Sequence, residues 1–245
     1  MSLRLLPPVK TVPLLWERPE PAHLHGSVPL RRAAIAQAAV SLADKKGLGA
    51  VSLRTVAAAL KVDSKRLRGF VYSKKELHEL MADAVYREMV AAGPYQGDWR
   101  QILRDVAHQF RRAAHKHLWF TDLVGPRMSM VPHALVYVEA SLAALGEEPG
   151  FKGSGNAMRA LQNVSAYAAG AIQGESAEVR YERRFGKDWT ELRDTVGPYY
   201  QRMLESGRFP RTVREVESPT ETSLDAVFEQ GLELMLDGIA ARLPR

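Results

Sequence analysis

The sequence predicts an all-α protein: a small basic head built on a helix-turn-helix, followed by a larger helical body. Three observations carry this. From Pro29 onward apolar residues recur at spacings of three and four, and the strict alternation of a half-buried strand is missing. Between residues 51 and 77 three polar residues, Ser52, Asp63 and Ser73, stand where helix N-caps are needed and divide the segment into short helices. Charge is also segregated: residues 31–78 carry eleven Lys/Arg against three Asp/Glu, and residues 79–245 carry twenty against twenty-three. The net charge of +6 therefore originates in one short segment. A field so placed suits a polyanion better than a small neutral substrate, although a merely solvated basic face has the same composition.

Composition sets further bounds. A chain of 245 residues holds one large domain, or a small one joined to a larger one. A hydrophobic fraction of 46% suffices for a real core. The absence of cysteine excludes disulfides and thiolate metal sites. No apolar run has the length of a membrane span and the N-terminus lacks a signal-peptide core, so a cytoplasmic location is expected.

Residues 1–28 contain prolines at 7, 8, 13, 19 and 21 and read as an extended arm. The first helix is expected from about Leu30 to Lys46, with Ile35, Ala38, Ala39 and Leu42 on one face. Lys45 and Lys46 complement its C-terminal dipole, and Gly47 supplies the left-handed stop. Ser52 caps a short helix carrying Leu53, Val56, Ala57 and Leu60. Asp63 caps a second, in which Leu67 and Val71 point inward. Ser73-Lys74-Lys75-Glu76 has the form of a capping box and opens a longer helix through Leu77, Leu80, Met81, Ala84, Val85 and Met89. Two short helices joined by a tight turn and braced by a longer one make a helix-turn-helix. Three divisions follow: the arm 1–28, the head 29–78 and the body 79–245.

In the body, Asp98 starts a helix with Leu103, Val106, Phe110 and His117 roughly aligned, and a Gly/Pro/Met-rich loop runs from Gly125 to Pro132. Further helices are expected over Ala134–Leu145, Asn156–Ile172, Glu191–Leu204 and Leu224–Leu243, with 217–222 a connector. Gly93-Pro94 and Gly153-Ser154-Gly155 read as punctuation.

The residues at fixed places resemble the tetracycline-repressor (TetR) family of bacterial regulators. Ser41-Leu42-Ala43-Asp44, Gly47, Val51-Ser52-Leu53-Arg54 and Val56-Ala57 follow the family's first two helices. Val62, Leu67, Val71, Lys74 and Leu77 match its third helix and the start of its fourth. Near the C-terminus, Ser206-Gly207-Arg208-Phe209-Pro210, Phe228-Glu229-Gln230-Gly231-Leu232 and Leu236-Asp237-Gly238-Ile239 are similar to the ligand and dimer domain of the tetracycline-repressor subgroup. Leu15-Trp16-Glu17-Arg18-Pro19 resembles a leader common in actinobacterial members. Departures are concentrated in the recognition helix. The family's usual small residue or proline, Ser/Thr, Tyr and His are replaced by Lys65, Arg66, Arg68 and Phe70. Charge is gained while geometry changes, and Gly69 weakens the helix by up to about 1 kcal/mol relative to alanine.

The resemblance implies a ligand-responsive regulator, a repressor, that binds palindromic operator DNA as a homodimer. The helix Ser64–Phe70 would enter the major groove with Ser64, Lys65, Arg66 and Arg68, while Arg31, Arg54, Thr55 and Lys74 hold the backbone. A small molecule, by composition a flat apolar or aromatic natural product, would release it. Its cavity is expected among Val106, Phe110, Trp119, Met128, Met130, Leu135, Val138, Leu161, Val164 and Tyr167. Polar contacts would come from His117, His133, Gln162 and Asn163. The same apolar spacing equally serves a core. Phe110 matches an aromatic of the tetracycline site, but Val106 and Ala134 replace its asparagine and glutamine, which argues against tetracycline and its magnesium chelate. Dimerisation is expected through the small residues Ala157, Ala160 and Ala168 of one helix and the stripe Phe228, Leu232, Met235 and Ile239 of the last. Each stripe could instead serve its own core.

No cofactor, metal site or membrane partner is expected. His108, His115, His117 and Asp122 invite a metal reading, but the two-residue step from His115 to His117 diverges on a helix. The sequence has no HExxH, phosphate-cradling glycine loop or Ser/His/Asp order. The alternative is a relative whose DNA-reading head has eroded, leaving a metabolite binder or an enzyme working in the former ligand cavity.

Overall fold

The computed structural model describes residues 13–21, 29–93, 95–124, 129–152, 155–185, 189–217 and 223–243. The regular elements among them are all helical. They form two compact units, Met1–Tyr95 with Asp122–Ala143, and Gln96–Thr121 with Ala144–Arg245.

In the first unit α1 spans Arg32–Lys46. It starts two residues later than the sequence suggested because Arg31 is extended (φ −134°, ψ 151°) while Leu30 is buried. Its buried face is Ile35, Ala36, Ala39, Val40 and Ala43. The expected Ala38 and Leu42 are only half-buried, so the stripe is rotated by one position. Gly47 ends the helix at φ +79°, its N–H donating to the Ala43 carbonyl (2.7 Å), as glycine's freedom allows. After a 3₁₀ turn, Leu48–Ala50, comes α2, Leu53–Ala59. Ser52 Oγ accepts the Thr55 N–H (3.1 Å) and Thr55 Oγ1 accepts the Ser52 N–H (2.9 Å), a reciprocal box with threonine in the usual Glu/Gln place.

The turn of the helix-turn-helix is a Schellman closure. Val62 N–H donates to Ala57 O and Lys61 N–H to Ala58 O, with Lys61 itself at φ +55°. Asp63 then caps α3, Ser64–Arg68. Gly69 is its C-cap with right-handed helical angles, so the glycine lies at the helix end rather than inside it. Leu67 and Val71 are fully buried, as expected.

Ser73 caps α4, Lys74–Val90, by accepting the Glu76 N–H (3.1 Å). The expected reciprocal half of that box is absent. The Glu76 carboxylate instead accepts the Tyr72 N–H (2.8 Å) and a two-pronged pair of bonds from Arg18. The arm is accordingly not a free extension over 13–21: it turns at Leu14–Glu17, buries Leu15 and is tied to the head through Arg18. The rest of the arm, 1–12 and 22–28, lies outside the described residues. The α7 helix, Pro132–Gly146, contributes its first part to this unit. There the Tyr137 ring lies 5.9 Å from that of Tyr86, and Ser141 Oγ donates to the Tyr95 hydroxyl (3.1 Å). Burial pushes the Tyr86 hydroxyl up to about 12.

The second unit contains α5 (Trp99–Lys116), α8 (Asn156–Phe185), α9 (Trp189–Glu205), α10 (Pro210–Glu217) and α11 (Leu224–Ala240). A short α6, Phe120–Leu123, follows α5. Asp98 and Ser223 cap α5 and α11 by accepting the Gln101 and Ala226 N–H groups. The α5, α8 and α11 helices pack together around Leu103, Val106, Leu161, Val164, Leu232 and Leu236. Two short helices, α6 and α10, were not anticipated. Nor was the extension of α8 past Ile172, where apolar periodicity stops and a polar run rich in helix-favouring Glu, Ala and Arg takes over.

A charged ladder joins α5 to α11. Arg100, Arg104, His108 and Arg111, spaced four, four and three apart, meet Asp237, Glu233, Glu229 and Asp225. Arg104 grips Glu233 at 2.7 and 2.8 Å. At one end the buried Glu175 of α8 accepts from Arg111 (3.1 Å) and stands 2.6 Å from His115 Nε2. Most rungs are solvent-exposed and contribute about 0–1 kcal/mol each; their effect is to fix helix register.

Candidate nucleic-acid interface and ligand site

The exposed cations of the head lie just before α1, at the starts of α2 and α4, and along α3. Arg31, Arg54, Lys65, Arg68 and Lys74 are exposed, and none is ion-paired among the described residues. Arg66 and Ser64 are half-buried. Thr55 is exposed, but its hydroxyl bonds Ala50 O (2.8 Å) and the Ser52 cap, so it serves the fold first. Phe70 is not part of a groove-facing helix. It is 5% exposed and lies beyond the end of α3, so the aromatic ring adds to the head's core where the family's histidine would face phosphate. The presented element is five residues long, with Leu67 turned inward and Lys65 and Arg68 turned outward.

Arg32, which the sequence reading passed over, is used internally. It donates to Arg18 O (2.8 Å) and makes longer contacts to Phe70 O (3.4 Å) and Pro19 O (3.5 Å). Burial pushes the Glu76 carboxyl up, but the Arg18 hydrogen bonds, the Tyr72 N–H and the charges of Arg18 and Arg32 outweigh it, holding it below the usual carboxylate range.

The residues expected around a ligand are distributed between the two units. In the second, Phe110, His117, Trp119 and Phe120 form a buried aromatic cluster. Ring centroids are 5.4 Å apart for Phe110–Phe120, 5.6 Å for His117–Trp119 and 6.4 Å for Trp119–Phe120. Phe120 was missed although it directly follows Trp119. Val106, Leu161 and Val164 are buried beside α5 and α8. Three polar or amphipathic candidates go elsewhere. Gln162 and Asn163 are exposed on α8. Tyr167 donates its hydroxyl to Phe228 O (2.7 Å) and packs its ring on Phe228, docking α8 to α11.

In the first unit His133 is occupied by Asp83, which accepts its backbone N–H and faces its Nδ1, both at 2.8 Å. That carboxylate meets the first turn of α7, a position where the helix dipole favours negative charge. Met130 and Leu135 are exposed, Val138 is half-buried, and Met128 lies outside the described residues. The histidines considered for a metal have separate partners: His108 faces Glu229, His115 faces Glu175, and His117 belongs to the aromatic cluster.

The residues expected at a dimer interface fall into two groups. Phe228, Leu232, Ala160 and Ala168 are at most 3% exposed within the single chain, because they form the α5–α8–α11 core. Ala157, Met235 and Ile239 are half-buried. The accessible face between α8 and α11 is a groove of about 710 Å³ lined by Arg159, Asn163, Gly231, Leu234, Met235 and Ile239 among others. Leu234, 74% exposed, stands out on it. No helix among the described residues is long and apolar enough to cross a membrane.

Residues 93–243 match the family model described as tetracyclin repressor-like, C-terminal domain. The chain is 28% identical over 231 residues to the HTH-type transcriptional repressor DrrR1 of Streptomyces coeruleorubidus, spanning 94% of this chain and 84% of that protein. It is 32% identical over 168 residues to an HTH-type transcriptional regulator of Saccharopolyspora erythraea, spanning 66% of this chain and 67% of that one. Its fold is similar to that of the TetR-family protein ActR of Streptomyces coelicolor in complex with actinorhodin, with a TM-score of 0.69, 24% identity, and coverage of 87% and 98% of the two chains. With a basic helix-turn-helix head, an all-helical body and a family match over more than half its length, the chain belongs to the tetracycline-repressor (TetR) family of transcriptional regulators.

Proposed function

We propose that this protein is a homodimeric cytoplasmic repressor, not an enzyme, that binds a palindromic operator and is released by a small apolar or aromatic molecule. The observation carrying this reading is the set of exposed cations on the head, Arg31, Arg54, Lys65, Arg68 and Lys74, which have no ion-pair partner among the described residues. Lys65 and Arg68 on α3 are the groove-facing pair, and arginine can read guanine through two bonds. The others hold phosphates and fix register. The repressor named among the relatives supports the sense of regulation.

In this reading the effector lies against Phe110, Trp119 and Phe120, with His117 as the polar neighbour, and the aromatic lining favours an aromatic ligand; that ActR, a structural neighbour, is seen in complex with actinorhodin supports a small-molecule effector. A second copy packs on the α8–α11 groove through Leu234, Met235 and Ile239 rather than through the buried stripe.

Fluorescence anisotropy with duplex DNA flanking the gene tests the reading. Three phosphate-holding cations per head, Arg31, Arg54 and Lys74, make six per dimer, so log K against log salt is expected to fall with a slope of up to about −5. Arg31→Ala with Arg54→Ala should flatten that slope by roughly 4 per dimer, whereas Lys65→Ala with Arg68→Ala should weaken binding and relax sequence preference. Absence of binding at low salt would overturn the proposal.

A further inference from the structure

We propose that arm segment 13–21 is a fixed part of the DNA-reading head, and that Arg18 is a positioning residue which, through Glu76 and Tyr72, sets the pose of the recognition helix. This rests on the operator-binding reading above.

The contacts form one cluster. Arg18 Nη1 and Nη2 donate to the two carboxylate oxygens of Glu76 at 2.9 and 2.6 Å, across 58 positions of sequence. The guanidinium also lies 3.7 Å from the centre of the Tyr72 ring, whose own backbone N–H donates to Glu76. Arg32 ties the carbonyl of Arg18 and that of Phe70 to α1. Leu15, 1% exposed, supplies the apolar anchor. The arm therefore grips the chain where α3 has ended and α4 begins.

That grip matters because α3 has only five residues. A helix so short has no stability of its own, so its direction is imposed at its ends. Asp63 and Leu67 hold the first part, while the exit through Phe70–Tyr72 is held by the arm. Arg18 cannot also serve as a phosphate contact: its side chain is 9% exposed and its fork is fully engaged by one carboxylate.

The test uses the full chain with Arg18→Met, Arg18→Lys and the exchanged pair Arg18→Glu/Glu76→Arg. Binding to duplex DNA flanking the gene is followed by anisotropy across a salt series, and amide exchange by mass spectrometry over residues 70–77. Arg18→Met is expected to weaken binding at least tenfold with the salt slope unchanged, and to speed exchange at Tyr72. Arg18→Lys, which keeps the charge and stem but loses the fork, should show a smaller form of both effects and serves if the methionine variant does not fold. The exchanged pair should restore part of the affinity. Unchanged exchange at Tyr72, unchanged affinity, or a slope reduced by one or more per subunit as for a phosphate ligand, would each overturn the proposal. If the wild-type chain binds no DNA, the operator reading fails, and exchange at Tyr72 then decides the arm's docking by itself.

Discussion

Replacing Gly231 by alanine reverses the usual sign of a glycine-to-alanine change in a helix. Gly231 lies within α11, where alanine would normally be worth about 1 kcal/mol through helix propensity. A methyl group there would stand 2.8 Å from both Cε2 and Cζ of Tyr167, and closer still to its hydroxyl oxygen. That ring cannot swing away freely, since its hydroxyl bonds Phe228 O and its face packs on Phe228 at 5.7 Å between centroids. Moving it forfeits the hydrogen bond, about 1 kcal/mol, and the aromatic contact, about another 1 kcal/mol. Leaving it in place overpacks the α8–α11 seam by a comparable ~1–3 kcal/mol. Net destabilisation of about 1–2 kcal/mol is therefore expected for Gly231→Ala. In a Tyr167→Leu background the obstruction is gone, and the same change should stabilise by up to about 1 kcal/mol. Urea unfolding followed by circular dichroism, at one protein concentration for all four chains, gives the cycle. A coupling near zero, or a stabilising Gly231→Ala in the Tyr167 background, would refute the reasoning.

Three further outcomes are expected. Lys61 holds a left-handed turn at φ +55°, so Lys61→Gly should relieve about 0.5–1 kcal/mol and raise the melting temperature by roughly 2–4 °C, whereas Lys61→Val should lower it. Burial, aided by the charge of Lys74, lowers the His78 pKa from its ordinary 6.5. The unfolded chain then takes up the proton first, so stability is full above pH 6.5 and is lost as pH falls through the folded value. His78→Leu, which also removes a buried Nε2 without a hydrogen-bond partner among the described residues, should flatten that slope in urea titrations across pH 5–7.5. Leu234→Asp, on the exposed side of α11, should leave the fold intact and shift sedimentation from dimer to monomer; an unaltered dimer would place the partner elsewhere.

Local signals in the chain were sufficient for most of the fold. Ser52, Asp63, Ser73, Asp98 and Ser223 cap helices because a short side-chain oxygen meets an orphan N–H two or three residues on, whatever surrounds it. Leu67, Val71 and the apolar stripe of α4 are buried as their spacing demands, and the basic bias of the head is a matter of counting. The two halves of the α5–α11 ladder, Arg100, Arg104, His108 and Arg111 on one side and Asp225, Glu229, Glu233 and Asp237 on the other, each repeat at helical spacing, but that spacing does not pair one with the other.

Choices among partners belonged to the tertiary structure. Glu76 could complete its own capping box or bind a distant arginine, and the docked arm decided for Arg18. Phe70 could face DNA or the core, and the end of α3 at Arg68 turned it inward. Phe228 and Leu232 carry the same periodicity for a partner helix as for α5 and α8; three-helix packing within the chain covers them and leaves Leu234 outside. The sequence thus determined which positions are apolar, capped or charged, because those depend on neighbours within one helical turn. Which face meets which neighbour was settled only by packing, because an apolar or charged stripe has the same periodicity whatever it lies against.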